Sequence, residues 1–150
     1  MRRTIFWSRY RLLNISGPRT IPYHHSEFRH LESFRKQHPD PIVEIHVDTA
    51  RRNGIADGDW VWIETPIGRV KQRARLTTSF DPGYISTQHA WWYPEKPAAE
   101  PDLYGLWESN INVTTDDDPE KCDPLSGGWP FKGQYLRCRI SKAAAGNETS

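Results

Sequence analysis

The sequence has no apolar run approaching the roughly 20 residues that a membrane-spanning helix requires, which leaves no candidate for such a helix. It has only two cysteines, Cys122 and Cys138. They lack metal-ligand spacing, and two residues alone do not argue a disulfide, so they read as reduced thiols of a cytoplasmic protein. No charge sign dominates, with 20 Lys and Arg against 19 Asp and Glu. That balance removes the electrostatic case for nucleic-acid or membrane-surface binding. After Met1-Arg2-Arg3, the stretch Thr4–Arg9 is too short to be the apolar region of a secretory signal, so no targeting segment is read. What is present is aromatic and turn-rich: seven Trp, twelve Pro and ten Gly in 150 residues. That length suits one domain with one modest core. The mix suggests a β-rich, loop-rich fold whose ring surfaces suit flat ligands.

Patterning gives the order of elements. Arg11–Ser16 reads as a short buried strand ending at the turn Gly17-Pro18-Arg19. A polar stretch rich in His and aromatics comes next, with a short helix around Glu27–Gln37 that His38-Pro39-Asp40-Pro41 stops. Ile42–His46 is a strand. Asp48 is the expected N-cap of a one-turn helix through Arg52, and Asn53-Gly54 is its left-handed stop. Trp60–Glu64 and Arg69–Leu76 are strands joined by Thr65-Pro66-Ile67-Gly68. In the second, a period of two puts Arg69, Lys71, Arg73 and Arg75 on one face and Val70, Ala74 and Leu76 on the other. Tyr84–Gln88 and Tyr135–Ile140 complete the strands. Residues 94–106 read as irregular, and Asn110–Gly133 as one long polar loop, a length usual for a functional or disordered segment. The expected division is a leader over 1–10, one domain over 11–142 and a tail over 143–150.

The run from Ala50 to Gly68 has a mechanical reading: a one-turn helix drops through Gly54 into an Asp-Gly turn, then a hairpin. The same run resembles the signature of the six-stranded double-psi β-barrel. That aspartate-decarboxylase-like fold is mainly β, with short helices and long loops. It serves in molybdopterin-dinucleotide-binding domains and in the amino-terminal domains of some AAA ATPases, so the barrel alone leaves function open. Three further stretches resemble one branch. Ser16-Gly17-Pro18-Arg19 with His25-Ser26 is similar to the loop after the family's first strand, usually Thr-Gly-Arg with a later His, though here Pro18 is inserted. Gln88-His89-Ala90-Trp91-Trp92-Tyr93-Pro94-Glu95 resembles its aromatic segment. Glu108–Thr114 resembles its Asn-x-Leu-Thr loop, and Asp123–Gly128 resembles the segment after that loop. The resemblance is to the C-terminal molybdopterin-dinucleotide-binding domain of the dimethyl-sulfoxide-reductase superfamily of molybdenum and tungsten oxidoreductases, nearest its acetylene-hydratase-like branch. It covers residues 10–142.

The resemblance implies a cofactor, molybdopterin guanine dinucleotide in bis form on Mo or W, shared with other domains or subunits. A pterin edge asks for paired donors and acceptors such as an Asn amide. A pyrophosphate asks for backbone N–H groups at Gly turns or for an Arg. Flat rings ask for aromatic walls. The residues so implicated are Gly17, Arg19, His25, Ser26, His89, Trp91, Trp92, Asn110, Gly127 and Gly128. Each has a plainer reading beside this one. Asn110 could cap a turn, Arg19 could be a surface cation, and Trp91 and Trp92 could wall the barrel end. The cationic face from Arg69 to Arg75 reads as solvated or interdomain surface. His24, His25 and His30 lack the partners of a zinc site. The contiguous Asp116-Asp117-Asp118 does not match the alternate spacing of a calcium loop.

Other residues are missing. The family's iron–sulfur cluster is held by a Cys-rich motif that this sequence does not contain. No Cys or Ser ligand for molybdenum can be assigned, and no nucleophile–base pair stands out. The chain alone is therefore expected to be catalytically inactive. It would close over a cofactor held mainly by the remaining domains, or by a larger catalytic subunit carrying an iron–sulfur cluster, with neither nucleic acid nor membrane as partner. In formylmethanofuran dehydrogenases the equivalent domain can be a separate chain. The competing reading is a double-psi-barrel protein-interaction adaptor without cofactor. A self-processing decarboxylase is set aside because no Gly-Ser cleavage pair is present. Separation from neighbouring domains would expose an apolar docking face, with Trp7, Trp107 and Trp129 as candidates.

Overall fold

The structure, a computed structural model, describes residues 9–16, 20–116, 118–127 and 136–144. Six strands are present: β1 (Leu12–Ser16), β2 (Ile42–His46), β3 (Trp60–Glu64), β4 (Arg69–Thr77), β5 (Tyr84–Thr87) and β6 (Arg137–Lys142). They close into a barrel in the order β1-β5-β2-β4-β3-β6. β1 runs parallel to β5 and β2 parallel to β4, while the other four pairings are antiparallel. Exchanging β1, β2 and β3 for β4, β5 and β6 maps this neighbour order and every pairing sense onto itself. That internal pseudo-twofold symmetry is the mark of the expected double-psi barrel.

Alternation along the strands fills the interior. Val43, Ile45, Val61, Ile63, Val70 and Ile85 have no exposed surface, and Ala74, Cys138 and Ile140 join them. Each fully buried large aliphatic side chain stabilises by roughly 1.5–3 kcal/mol. The outward cations of β4 are engaged on the surface. Arg73 pairs with Asp40 at 2.6 Å and Arg75 with Glu44 at 2.8 Å. Arg69 lies over Trp62 and Lys71 over Trp60. The opposite face holds one polar residue among the apolar ones, Gln72, with no exposed surface.

Three local expectations are corrected. The helix α1 occupies only Glu32–Gln37, because the preceding stretch turns through left-handed residues His25 and Phe28. The helix α2 (Val47–Arg52) is capped by His46, whose Nδ1 accepts from the Asp48 N–H at 3.1 Å. β2 runs straight into this helix, so its last residue takes the cap position. Asp48 instead sits in the first turn and pairs with Arg51, a favourable place for a carboxylate. The polar segment from Asn110 is not one open loop. It follows a short helix α3 (Leu106–Ser109) and begins with a 3-10 turn over Ile111–Thr114, in which Ile111 and Thr114 are buried. Tyr10, within the expected leader, is also buried.

Strand direction decides where the loops emerge. β1 and β5 rise to one end of the barrel, β2 and β6 start there, and the β3–β4 hairpin tip lies there too. The segments after β1 and after β5 therefore share that end, while α2 lies at the other.

Candidate functional site

The described residues implicated from the sequence belong to one of two segments, that after β1 or that between β5 and β6, and both segments leave their strands at the same end of the barrel. Gly17, Arg19 and Gly128 lie outside the described residues, as do Trp7 and Trp129.

His25 and His89 meet directly, Nδ1 to Nε2 at 3.1 Å, across 64 residues of chain. One ring must donate and the other accept, so at least one carries a bare nitrogen. His24 stacks edge-on against His25. The adjacent Ser26 carbonyl accepts from the Trp92 indole N–H at 2.6 Å. His25 and Ala90 both hold left-handed φ values, 53° and 52°. Non-glycine residues seldom adopt that conformation unless their surroundings fix it.

The fixing group is Arg29, which no sequence pattern singled out. It has no exposed surface. Its Nη2 donates to the carbonyls of His25 and His89, at 3.2 and 3.4 Å. Its guanidinium lies over the rings of Tyr23 and Trp91, at 4.6 and 4.1 Å from their centroids. Burial lowers its pKa to about 10, so it stays charged at neutral pH. Its Nε and Nη1 have no hydrogen-bond partner among the described residues. Trp91 is wholly buried, in a cluster with Tyr23 and Tyr93 that Phe34 covers. Nothing in the spacing of Arg29 sets it apart from the surface cations around it.

Below these loops runs a buried polar layer. The Gln88 Oε1 accepts from His38 Nε2 at 3.0 Å and from the Ile42 N–H at 3.2 Å. Burial lowers the His38 pKa, against the opposing effect of its bond to Gln88. Gln72 reaches Gln88 and Ser109. Ser109 Oγ meets the Tyr93 hydroxyl at 2.7 Å, and burial raises Tyr93 to about 12.

Asn110 is 7% exposed. Its Oδ1 accepts from the Asn112 N–H at 3.1 Å, so it does cap the following turn. Its Nδ2 donates to no described residue. The turn is pinned from the hairpin tip, where Thr65 Oγ1 donates to the Thr114 carbonyl at 2.7 Å. Gly68 permits this approach, because a Cβ there would stand 2.5 Å from the Val113 carbonyl oxygen. Gly127 is exposed with a φ of 66°, closing a turn in which Asp123 Oδ1 accepts from the N–H groups of Leu125 and Ser126. Those bonds lower the Asp123 pKa. Of the expected docking residues Trp107 is described and is 56% exposed; Ile21 and Phe28, which the sequence did not single out, are exposed as well. No described helix is long and apolar enough to cross a membrane.

Residues 13–134 match the family model described as "Molydopterin dinucleotide binding domain". A dopamine dehydroxylase of Eggerthella lenta is 40% identical over 118 residues, 79% of this chain and 11% of the relative. The acetylene hydratase of Syntrophotalea acetylenica is 29% identical over 128 residues, 85% of this chain and 18% of the relative. The solved structure of acetylene hydratase from Pelobacter acetylenicus superposes with a TM-score of 0.83 at 26% identity, covering 91% of this chain and 19% of that one. The chain thus spans less than a fifth of the length of these relatives.

Proposed function

Because the chain belongs to the molybdopterin-dinucleotide-binding domain family, we propose that it closes one side of a molybdopterin guanine dinucleotide in a molybdenum or tungsten oxidoreductase. It would do so as the C-terminal domain or as a small subunit. The bis form of the cofactor, an iron–sulfur cluster in the partner domains and a cytoplasmic location are parts of the same proposal. The observation that carries it is the convergence of the loops after β1 and β5 at one barrel end, where the amide nitrogen of the buried Asn110 has no partner among the described residues.

The donor set suits such a group. Asn110 Nδ2 can give a hydrogen bond to an acceptor on a pterin edge. The buried Arg29 has no carboxylate partner among the described residues, so its charge adds a positive potential behind the loops that favours a pyrophosphate. The exposed His25 presents its ring at the surface, held there by His89. In the turn closed by Gly127 the N–H groups of Leu125, Ser126 and Gly127 are taken by Asp123, so that turn adds no donor. Trp91, with no surface of its own, supports these loops from behind, whereas the half-buried Trp92 keeps a face near Ser26. When bound, the pterin dithiolene would supply the metal site and the route for electrons. This chain's residues bind it, orient it and exclude water from one side.

The test is purification from the native host without air, assaying molybdenum, tungsten and guanine-linked pterin in one fraction and weighing the intact complex. Stoichiometric metal and pterin with further polypeptide supports the proposal. A metal-free, pterin-free monomer removes it and favours the adaptor. In the assembled protein, Asn110→Ala should lower pterin content while the barrel stays folded, and unchanged content would strike Asn110 from the site.

A further inference from the structure

Gln72 occupies the middle of β4 and faces the barrel interior, between the apolar Val70 and Ala74 of the same inward row. A primary amide in such a place is unfavourable unless its hydrogen bonds are made. Here they are made to two chain segments far apart in sequence. Nε2 donates to the Gln88 carbonyl at 2.8 Å and to the Ser109 carbonyl at 3.1 Å. Oε1 accepts from the Gln88 N–H at 3.3 Å. With nitrogen towards two carbonyls and oxygen towards an N–H, the reverse amide orientation would break all three bonds.

Gln88 immediately precedes His89, and Ser109 immediately precedes Asn110. One side chain therefore ties the peptide leading into the His25–His89 pair to the peptide leading into the Asn110 turn. Both segments are also held from their far sides. The Gln88 amide accepts from His38 and Ile42, and Ser109 meets Tyr93. Thr65 fixes the far end of the Asn110 turn.

We propose that Gln72 is a positioning residue that sets Asn110 and His89 at a fixed separation, making the two loops one preorganised surface. The ligand-binding meaning of that surface rests on the function proposed above, but the tie itself does not. Fixing both loops before the ligand arrives removes an ordering cost from binding.

The experiment compares Gln72→Met, Asn110→Ala and the double variant in the assembled protein. Gln72→Met keeps length and volume but removes all three bonds. Three readouts are taken: amide hydrogen exchange, pterin release and thermal unfolding. Exchange should accelerate at residues 88–90 and 110–114 together, with β2 and β4 remaining protected. Pterin release should rise about tenfold, as expected for lost buried hydrogen bonds. In the Asn110→Ala background the same change should add less than about twofold, because coupled residues are not additive. Equal effects in both backgrounds would reduce Gln72 to a stabiliser of the barrel and overturn the proposal. So would unchanged exchange at 110–114. If Asn110→Ala itself leaves retention unchanged, its cofactor role fails, while the exchange readout still decides the role of Gln72. Should Gln72→Met not fold, Gln72→Asn keeps a neutral amide but, one methylene shorter, withdraws it from the Gln88 and Ser109 carbonyls, and must give the same paired acceleration.

Discussion

The guanidinium of Arg29 lies 4.1 Å from the centroid of the Trp91 ring, and neither residue has exposed surface. A charge with no carboxylate partner among the described residues is thus carried inside the layer beneath the loops, stabilised by ring faces and two carbonyls. Arg29→Ala would empty the space between Tyr23 and Trp91 and release both carbonyls. The expected loss is about 2–4 kcal/mol, from cavity formation and broken hydrogen bonds. Arg29→Met should recover more than half of it by refilling the space. Urea unfolding measures both, and an alanine variant as stable as the parent would show that the stack contributes nothing.

Gly68 tests the contact between hairpin tip and Asn110 turn. Its missing side chain leaves room for the Val113 carbonyl. Gly68→Ala must push that backbone away, strain the Thr65–Thr114 bond and cost roughly 1–3 kcal/mol. The signature is local: faster amide exchange at 111–114, with the exchange of β2 and β5 unchanged. A variant with parental melting temperature and exchange would mean that the hairpin yields freely.

His38 gives stability a pH dependence of known sign. Burial lowers its folded pKa below the ordinary value of 6.5. Between those two values the unfolded chain binds more protons than the folded one. This contribution is therefore fully present above about pH 6.5, falls as the pH drops below it, and levels off once the folded protein also protonates His38. Denaturant titrations from about pH 7.5 to about pH 5 should show a decline that is shallower in His38→Gln, whose amide can still donate to Gln88. Parallel pH profiles for the two proteins would refute the assignment.

The cysteines should react differently. Cys138 is wholly inside the barrel, where burial pushes its thiol pKa far above the ordinary value. Cys122 is half-buried. Reactivity follows thiolate content and access. A thiol reagent at about pH 8 should modify one cysteine in the native protein and two in denaturant. Rapid labelling of both without denaturant would contradict the barrel core.

The strands were legible because alternation over Trp60–Glu64 and Arg69–Leu76 reports which face is buried, and barrel burial depends on little else. The turn around Asp57-Gly58 and the helix stop at Gly54 were legible because positive φ selects glycine. The capping of α2 by His46 was not, since an imidazole seldom takes that role and Asp48 offered a stronger local signal. Gln72 left a faint mark, as one polar residue in an inward row. Arg29 left none, because in a polar stretch a buried arginine is spelled like an exposed one.

By itself, the sequence determined the strand set, the order of the loops and the family to which those loops belong. Short-range periodicity and turn chemistry fix the strands and loops, which are properties of neighbouring residues, while the family is read from the resemblance of short motifs in those loops. Tertiary structure alone decided that His25 touches His89, that Arg29 supports both, and that Gln72 joins Gln88 to Ser109. Those pairs are separated by up to 64 residues and meet only when parallel strands bring both connections to the same end of a closed barrel. The burial that makes such polar bonds strong is likewise a property of the closed barrel, not of any stretch of chain.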